Sequence, residues 1–324
     1  MSKYKVFMTD TIFPDTEIEE RELSKIDAEL VLSSEKDPQA FIREGHDCDA
    51  MLVVYAPVGA EVISSLDKCR IIVRTGIGVN NIDIATASAK KIMVANVPDY
   101  CQDEVADHAM ALFLAGVRKI AYLDSKVKSG IWNVNEAKPI PRLRGKKFGI
   151  IGCGAIGRKV AERAKAFGME VYGYDPYLPD EKFKEEGIVK VSSLDEFYPL
   201  VDYFSLHVPL MDETHHMINL DSIRKMKPSA FFVNTSRGPL VNEEDLYKAL
   251  SEKQIAGAAL DVLNTEPPAM PVPLAEFENV ILTPHAAFVS EEAIPELRRK
   301  GAQEIARTLT EGKPKYWVNA RDFS

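Results

Sequence analysis

At 324 residues, with 46% hydrophobic and 27% charged side chains, the chain has an ordinary globular composition and enough length for two domains. The balance of 40 Lys+Arg against 49 Asp+Glu, a net charge of −9, argues against broad binding to nucleic acid or to an anionic membrane surface. Cys48, Cys69, Cys101 and Cys153 form no CxxC pair, no apolar run approaches the roughly 18 residues of a membrane span, and MSKYKVFMTD enters a strand-like segment without a signal-peptide pattern. The expectation is a cytoplasmic protein with no disulfide framework and no zinc site.

From the N-terminus, KYKVFMTD, AELVL, DAMLVVYA, RIIVRTG and IMVANV are short, β-branched-rich segments bounded by polar or Gly/Pro stretches. Between them lie helix-compatible runs such as DTEIEERELSKI and DIATASAKK. Alternation of this kind predicts βαβ units around a parallel sheet. A domain break is expected near Pro98 to Cys101. The apolar spacing after Asp103 then predicts one long helix over 103–128, with Pro98 before it and Gly130 after it. Residues 131–145 carry two prolines and no clear period, so they are expected to form a loop. A second alternating series begins at KKFGIIGCG and runs through MEVYGYD, VDYFSLHV, AFFVNTSRG, IAGAALDVL and NVILTPH, and a last helix is predicted over roughly 290–311.

The most informative stretch is KKFGIIGCGAIGRKVAERAKAFGMEVYGYDPY. Gly152, Gly154 and Gly157 form G-x-G-x-x-G between an apolar strand and a helix-forming run. Such glycines provide a tight turn, close backbone approach to a pyrophosphate, and close helix–strand packing, and the amides that open the helix face the phosphates. Asp175 ends the next strand 23 residues after Gly152, where an acid would bond the adenosine ribose. Pro176 and Tyr177 follow it, with no basic residue for a 2′-phosphate, so NAD is expected rather than NADP. Gly149 and Gly168 read equally well as packing and helix-end glycines.

Ligands of such sheets bind outside the carboxyl ends of the strands. Three later strands deliver an ionisable residue there: AFFVNTSRG ends in Arg237, IAGAALDVLNTEP leads to Glu266, and NVILTPH ends in His285. Hydride transfer at a carbon bearing a hydroxyl needs a proton acceptor, and a histidine suits that task near neutral pH. A carboxylate such as Glu266 would fix its tautomer, and the Arg237 guanidinium could hold a substrate carboxylate by two parallel bonds. Each residue also has a bland reading: a structural histidine, a loop-capping arginine, a solvent-facing glutamate.

NTSRGPLVNEEDL, GAALDVLNTEPP, NVILTPHAAF, KKFGIIGCGAIG…GYDPY, VDYFSLHVPLMDETHHMIN and VRTGIGVNNIDI together resemble the motif series of the D-isomer-specific 2-hydroxyacid dehydrogenases over almost the whole chain. The resemblance implies an α/β fold with a Rossmann-type NAD-binding domain at 101–290, inserted into a smaller flavodoxin-like substrate domain made of 1–100 and 291–324. It further implies a cleft that closes by hinge motion, and homodimerisation partly through the helix near 103–128. Arg237, Glu266 and His285 occupy the positions of that family's catalytic set. Gly152, Gly154, Ala155, Ile156, Gly157, Asp175, His207, Pro209, Thr214, Thr235, Ser236, Asp261 and His285 fall at cofactor positions. Asp261 remains open between a nicotinamide-side contact and a buried structural acid. Tyr55, Ala56, Arg74, Ile77, Gly78, Arg237, His285 and Phe288 fall on the substrate side, with the Ile77 and Gly78 amides meeting the substrate carboxylate.

The implied activity is interconversion of a small 2-oxo acid and its D-2-hydroxy acid. A dinucleotide-sensing corepressor of the same fold and a 3-phosphoglycerate dehydrogenase are the alternatives. The 53–59 loop lacks an arginine for a substrate phosphate and no regulatory domain is expected, which favours a glyoxylate- or hydroxypyruvate-like substrate. His215-His216 has no second cluster to complete a metal site, so no metal is expected. His46 reads as a surface residue and His108 as a helix residue.

Overall fold

The computed structural model describes residues 3–323; residues 1, 2 and 324, at the outer limits of the expected substrate domain, lie outside that range. The chain divides into two compact units, Met1–Cys101 with Ser290–Ser324, and Gln102–Val289.

In the first unit β1 (Tyr4–Met8), β2 (Ala28–Leu32), β3 (Ala50–Val53), β4 (Ile71–Arg74) and β5 (Met93–Ala95) form one sheet in the order β2-β1-β3-β4-β5, every pair parallel. This is the flavodoxin-like strand order. A buried cluster that includes Phe7, Phe41, Met51, Val53, Ile72 and Val94 forms its core. The helix Ala293–Glu311 returns to this unit and packs on β3 and β4, burying Leu297, Ile305 and Leu309. It is anchored by Arg298, whose Nη2 donates to Glu19 at 2.7 Å and Asp15 at 2.8 Å. Such a pair is stable only with its hydrogen bonds complete, and here the guanidinium also lies over the Phe13 ring.

The second unit holds β6 (Lys147–Ile151), β7 (Glu170–Tyr174), β8 (Val189–Lys190), β9 (Tyr203–Leu206), β10 (Phe231–Asn234), β11 (Gly257–Leu260) and β12 (Val280–Leu282). Their order is β12-β11-β10-β9-β6-β7-β8, again all parallel. The order reverses at β6, as in doubly wound dinucleotide-binding sheets. Residues of β9, β10 and β11 are buried throughout, as expected of strands covered on both faces.

The single helix predicted over 103–128 is two helices, Gln102–Val117 and Ile120–Lys128. The chain breaks at Lys119, which adopts a left-handed conformation (φ +56°) that no local sequence signal demands. The predicted loop at 131–145 contains one short 3-10 turn, Val134–Ala137. The final helix begins at Ala293, a few residues later than predicted.

Candidate active site

Strand register builds the site in the second unit. Ile151 pairs with both Tyr174 and Leu206, Leu206 with Asn234, Asn234 with Leu260, and Leu260 with Leu282. The strands therefore end level, and the residues one step beyond form a single row along the carboxyl edge: Asp175, Gly152, His207, Thr235, Asp261 and Thr283. Six segments scattered over the sequence converge there because parallel strands all point the same way.

The glycine turn has the clearances that a pyrophosphate cradle requires. A Cβ on Gly152 would meet the His207 carbonyl oxygen at 2.5 Å, and one on Gly157 the Gly152 oxygen at 2.1 Å. A Cβ on Gly154 would meet nothing within 4 Å, so the start of the helix Ala155–Ala166 opens onto free space with its first amides unpaired by the helix. Ala155 is exposed and Ile156 half-buried. Asp175 accepts the Cys153 amide at 2.9 Å and the Tyr177 amide at 3.0 Å. It thus ties the turn to the next loop and adds negative charge beside the exposed Tyr177. Burial and the nearby Asp175 push the Cys153 thiol up to about 12, which leaves it neutral and inert.

Two buried polar atoms in the row have no hydrogen-bond partner among the described residues, His207 Nε2 and Thr235 Oγ1. Burial pushes the His207 imidazole down to about 3, so it is neutral at physiological pH. Orphaned polar atoms of this kind call for a ligand. With the open Gly154 and the helix start, they fit a dinucleotide. Ser236 donates to the Leu206 carbonyl at 2.7 Å. Thr214 caps its own turn through the Pro209 carbonyl at 2.7 Å, with Pro209 exposed.

Beyond the row two of the three ionisable residues pair, and the charge of the third, Arg237, reaches Glu266. His285 Nδ1 lies 2.6 Å from Glu266 Oε2, while Glu266 Oε1 accepts the Leu263 amide at 2.9 Å. Burial raises the Glu266 carboxyl, but His285, the Leu263 amide and the charge of Arg237 outweigh it and hold it below the usual carboxylate range. A carboxylate only accepts, so His285 carries its proton on Nδ1 and presents Nε2 for chemistry. Arg237 Nη1 donates to the Ser236 carbonyl at 2.6 Å. The next residue must be glycine: a Cβ on Gly238 would stand 2.0 Å from the Leu263 carbonyl. That close approach brings the arginine loop against the glutamate loop. The Phe288 ring stands edge-on to His285, 6.0 Å between centroids.

Asp261 is 1% exposed. It accepts from Thr283 Oγ1 at 2.5 Å, from the Ala286 amide at 2.9 Å and from the Ala287 amide at 2.9 Å. These bonds tie Asp261 to the turn that carries His285. Sequence reasoning missed Thr283 and also His108, whose Nε2 lies 3.1 Å from Thr283 Oγ1. No motif marks either, since their pairing spans 175 positions. His215 and His216 stack ring on ring, and no group of three metal-ligating side chains occurs among the described residues.

In the first unit, Asp10 at the end of β1 accepts the Val54 and Tyr55 amides at 3.1 and 2.8 Å, fixing the 53–59 loop; it too was missed. Tyr55 is exposed, whereas Ala56 is buried in the core, with its carbonyl accepting from Asn81 Nδ2 at 3.1 Å. Ile77 and Gly78 are half-buried, in a loop held by Asn96 Nδ2 on the Ile77 carbonyl at 2.6 Å. Arg74 lies over the Tyr55 ring, 5.7 Å to the centroid.

Residues 110–287 match the family described as D-isomer specific 2-hydroxyacid dehydrogenase, NAD binding domain. The chain is 40% identical over 312 residues to a glyoxylate reductase of Korarchaeum cryptofilum, covering 93% of this chain and 92% of the relative. It is 38% identical over 306 residues to a D-3-phosphoglycerate dehydrogenase of Methanocaldococcus jannaschii, covering 94% of this chain and 57% of that protein. The crystal structure of a glyoxylate reductase from Paecilomyes thermophila superposes with a TM-score of 0.90 at 28% identity, covering 99% of this chain and 100% of that one. The level strand ends, the glycine turn and these likenesses agree, and the chain belongs to the D-isomer specific 2-hydroxyacid dehydrogenase family.

Proposed function

We propose that the protein is an NAD-dependent oxidoreductase interconverting a small 2-oxo acid and its D-2-hydroxy acid, with glyoxylate- or hydroxypyruvate-like acids as substrates. The observation that carries this reading is the Glu266–His285 pair at 2.6 Å, one turn beyond a strand-end row fitted for a dinucleotide. Gly152, Gly154, Ala155, Ile156 and Gly157 would cradle the pyrophosphate. Asp175 would bond the ribose and repel a 2′-phosphate. His207, Pro209, Thr214, Thr235, Ser236 and Asp261 would line the remainder. When bound, NADH supplies the hydride. In the reducing direction Arg237 would orient the substrate carboxylate and polarise the carbonyl, and His285 would deliver a proton from Nε2 to the carbonyl oxygen. Glu266 would stabilise the imidazolium that must form and be refilled. Within the first unit Tyr55, the Ala56 backbone and the Ile77 and Gly78 amides are the proposed substrate contacts, and within the second Phe288, beside His285, is another.

One observation favours a second reading within the same chemistry. Arg74 Nε is buried with no hydrogen-bond partner among the described residues. Burial pulls the guanidinium below its usual value, against Tyr100, Tyr55 and Asp10, which favour its charge. A buried guanidinium whose Nε–H has no acceptor among the described residues suits a substrate with a second anionic group, such as 3-phosphoglycerate.

Homodimerisation is proposed on the exposed apolar residues Ile120, Val127, Ile131, Trp132 and Val134, which fall within one stretch of the second unit, residues 120–134. A cytoplasmic location is proposed on four free, buried cysteines; no helix among the described residues is long and apolar enough to cross a membrane. The test is NADH oxidation across a panel of 2-oxo acids, phosphorylated and not, with His285→Ala as control. Cofactor binding without turnover on any of them, or near-native rates in His285→Ala, would refute the enzymatic reading. Sedimentation of Trp132→Asp beside the native chain tests the dimer.

A further inference from the structure

The turn bearing His285 is held in a conformation that needs outside support. His285 sits in the left-handed region at φ +53°, where a non-glycine residue persists only if its surroundings over-determine it. Asp261 provides the immediate restraint from both sides of the histidine. Its main-chain carbonyl accepts the His285 amide at 2.7 Å, and its carboxylate accepts Thr283 Oγ1 before the histidine and the Ala286 and Ala287 amides after it. A hydroxyl has one proton, and Thr283 gives it to Asp261. Its oxygen can therefore only accept from His108 Nε2 at 3.1 Å. The same Nε2 stands 3.4 Å from Asp261 Oδ1. His108 comes from the separate helix Gln102–Val117, and its side chain is 26% exposed. It is the outermost member of a chain of contacts running through Thr283 and Asp261 to the His285 backbone.

We propose that His108 is a positioning residue for the reaction: its Nε2–H, donated to Thr283 and the Asp261 carboxylate, holds the 283–287 turn in the one backbone conformation that presents the His285 imidazole to the substrate. The proposal rests on the reading of His285 as proton carrier. Misplacing an acid/base group by a fraction of its hydrogen-bond length lowers turnover more than affinity. His108 therefore governs kcat, not KM.

The test compares His108→Phe, which fills the space without a donor, His108→Gln, which returns an N–H near the Nε2 position, and Thr283→Val, which removes the bridging hydroxyl. Steady-state kinetics with NADH and glyoxylate are paired with amide hydrogen exchange at Ala286 and Ala287 in the protein without nucleotide. His108→Phe should lower kcat about tenfold, with KM within about threefold, and speed exchange at both amides about tenfold. Thr283→Val should match it, and His108→Gln should recover most of both losses. Native kcat and exchange in His108→Phe, or no recovery in a folded His108→Gln, would overturn the proposal. If His108→Phe fails to fold, Thr283→Val and His108→Gln decide it alone. His285→Ala separates the two ideas: unchanged turnover there refutes the proton role, while exchange at Ala286 and Ala287 in the His108 variants still reports whether His108 holds the turn.

Discussion

Replacing Asp261 with asparagine should destabilise the second unit far more than its conservative chemistry suggests. The carboxylate is 1% exposed and accepts three hydrogen bonds through two oxygens. An asparagine offers one oxygen and an NH₂ group, so either the Ala287 amide or the Ala286 amide and Thr283 hydroxyl lose their acceptor. A buried donor left unsatisfied costs about 1–3 kcal/mol, and bonds to a charged acceptor lie at the upper end. The expected loss is about 2–4 kcal/mol, or roughly 5–15 °C in the melting temperature of a unit this size. Burial raises the Asp261 carboxyl, but His108, Thr283 and the two amides together hold it below its usual value. A carboxylate with a depressed folded pKa contributes stability that is full above its unfolded value, about 3.9, and is lost as pH falls through the folded value. Thermal and urea unfolding of native and Asp261→Asn protein should therefore show a constant gap between about pH 5 and 8 that closes below about pH 4. A gap under about 0.5 kcal/mol at neutral pH, or one that widens on acidification, would refute the reasoning.

Three further outcomes are expected. Glu266→Gln removes the charge 2.6 Å from His285 Nδ1, and should cut kcat by about 10²-fold or more with little change in KM; a raised KM with kcat unchanged would mean Glu266 serves binding instead. Gly154→Ala adds a Cβ that meets no protein atom within 4 Å, at an ordinary φ of −66°. Its melting temperature should stay within about 2 °C of native, while NADH affinity, read by fluorescence titration, falls about tenfold as the methyl enters the phosphate cradle; unchanged affinity would show that the dinucleotide lies elsewhere. Gly238→Ala forces a Cβ to within 2.0 Å of the Leu263 carbonyl, so the arginine and glutamate loops must part. Activity should fall about 10²-fold, with a lower melting temperature, and a near-native rate would show that the two loops need not touch.

The strands, the glycine turn and the three ionisable strand ends were legible because each is a local pattern: an apolar run of strand length, three glycines at fixed spacing, a polar residue where an apolar run stops. Register then did what sequence cannot do, bringing six such endings into one row. The helix break at Lys119 was hidden because the apolar spacing continues across it from Val117 to Ile120, and the left-handed residue is a lysine. Ala56 was placed on the substrate side by the family resemblance, and local sequence did not show that its side chain lies in the core of its own unit. His108 and Thr283 carry no signal at all, since their contact exists only once β12 and the helix Gln102–Val117 are packed.

The clamp between Arg298 and the pair Glu19 and Asp15 has a consequence for order of assembly. The sheet β2-β1-β3-β4-β5 is made from residues 4–95, but the helix that covers β3 and β4 leaves the ribosome only after the whole second unit. Leu52 and Thr75, which face Gly301, stay uncovered for the whole synthesis of the second unit, whose strands and helices are contiguous in sequence. The unit encoded second is thus the first able to complete its core, and the unit encoded first waits. During that interval its bare sheet face, with an unpartnered Glu19 beside it, is the part of the nascent chain most in need of protection from aggregation.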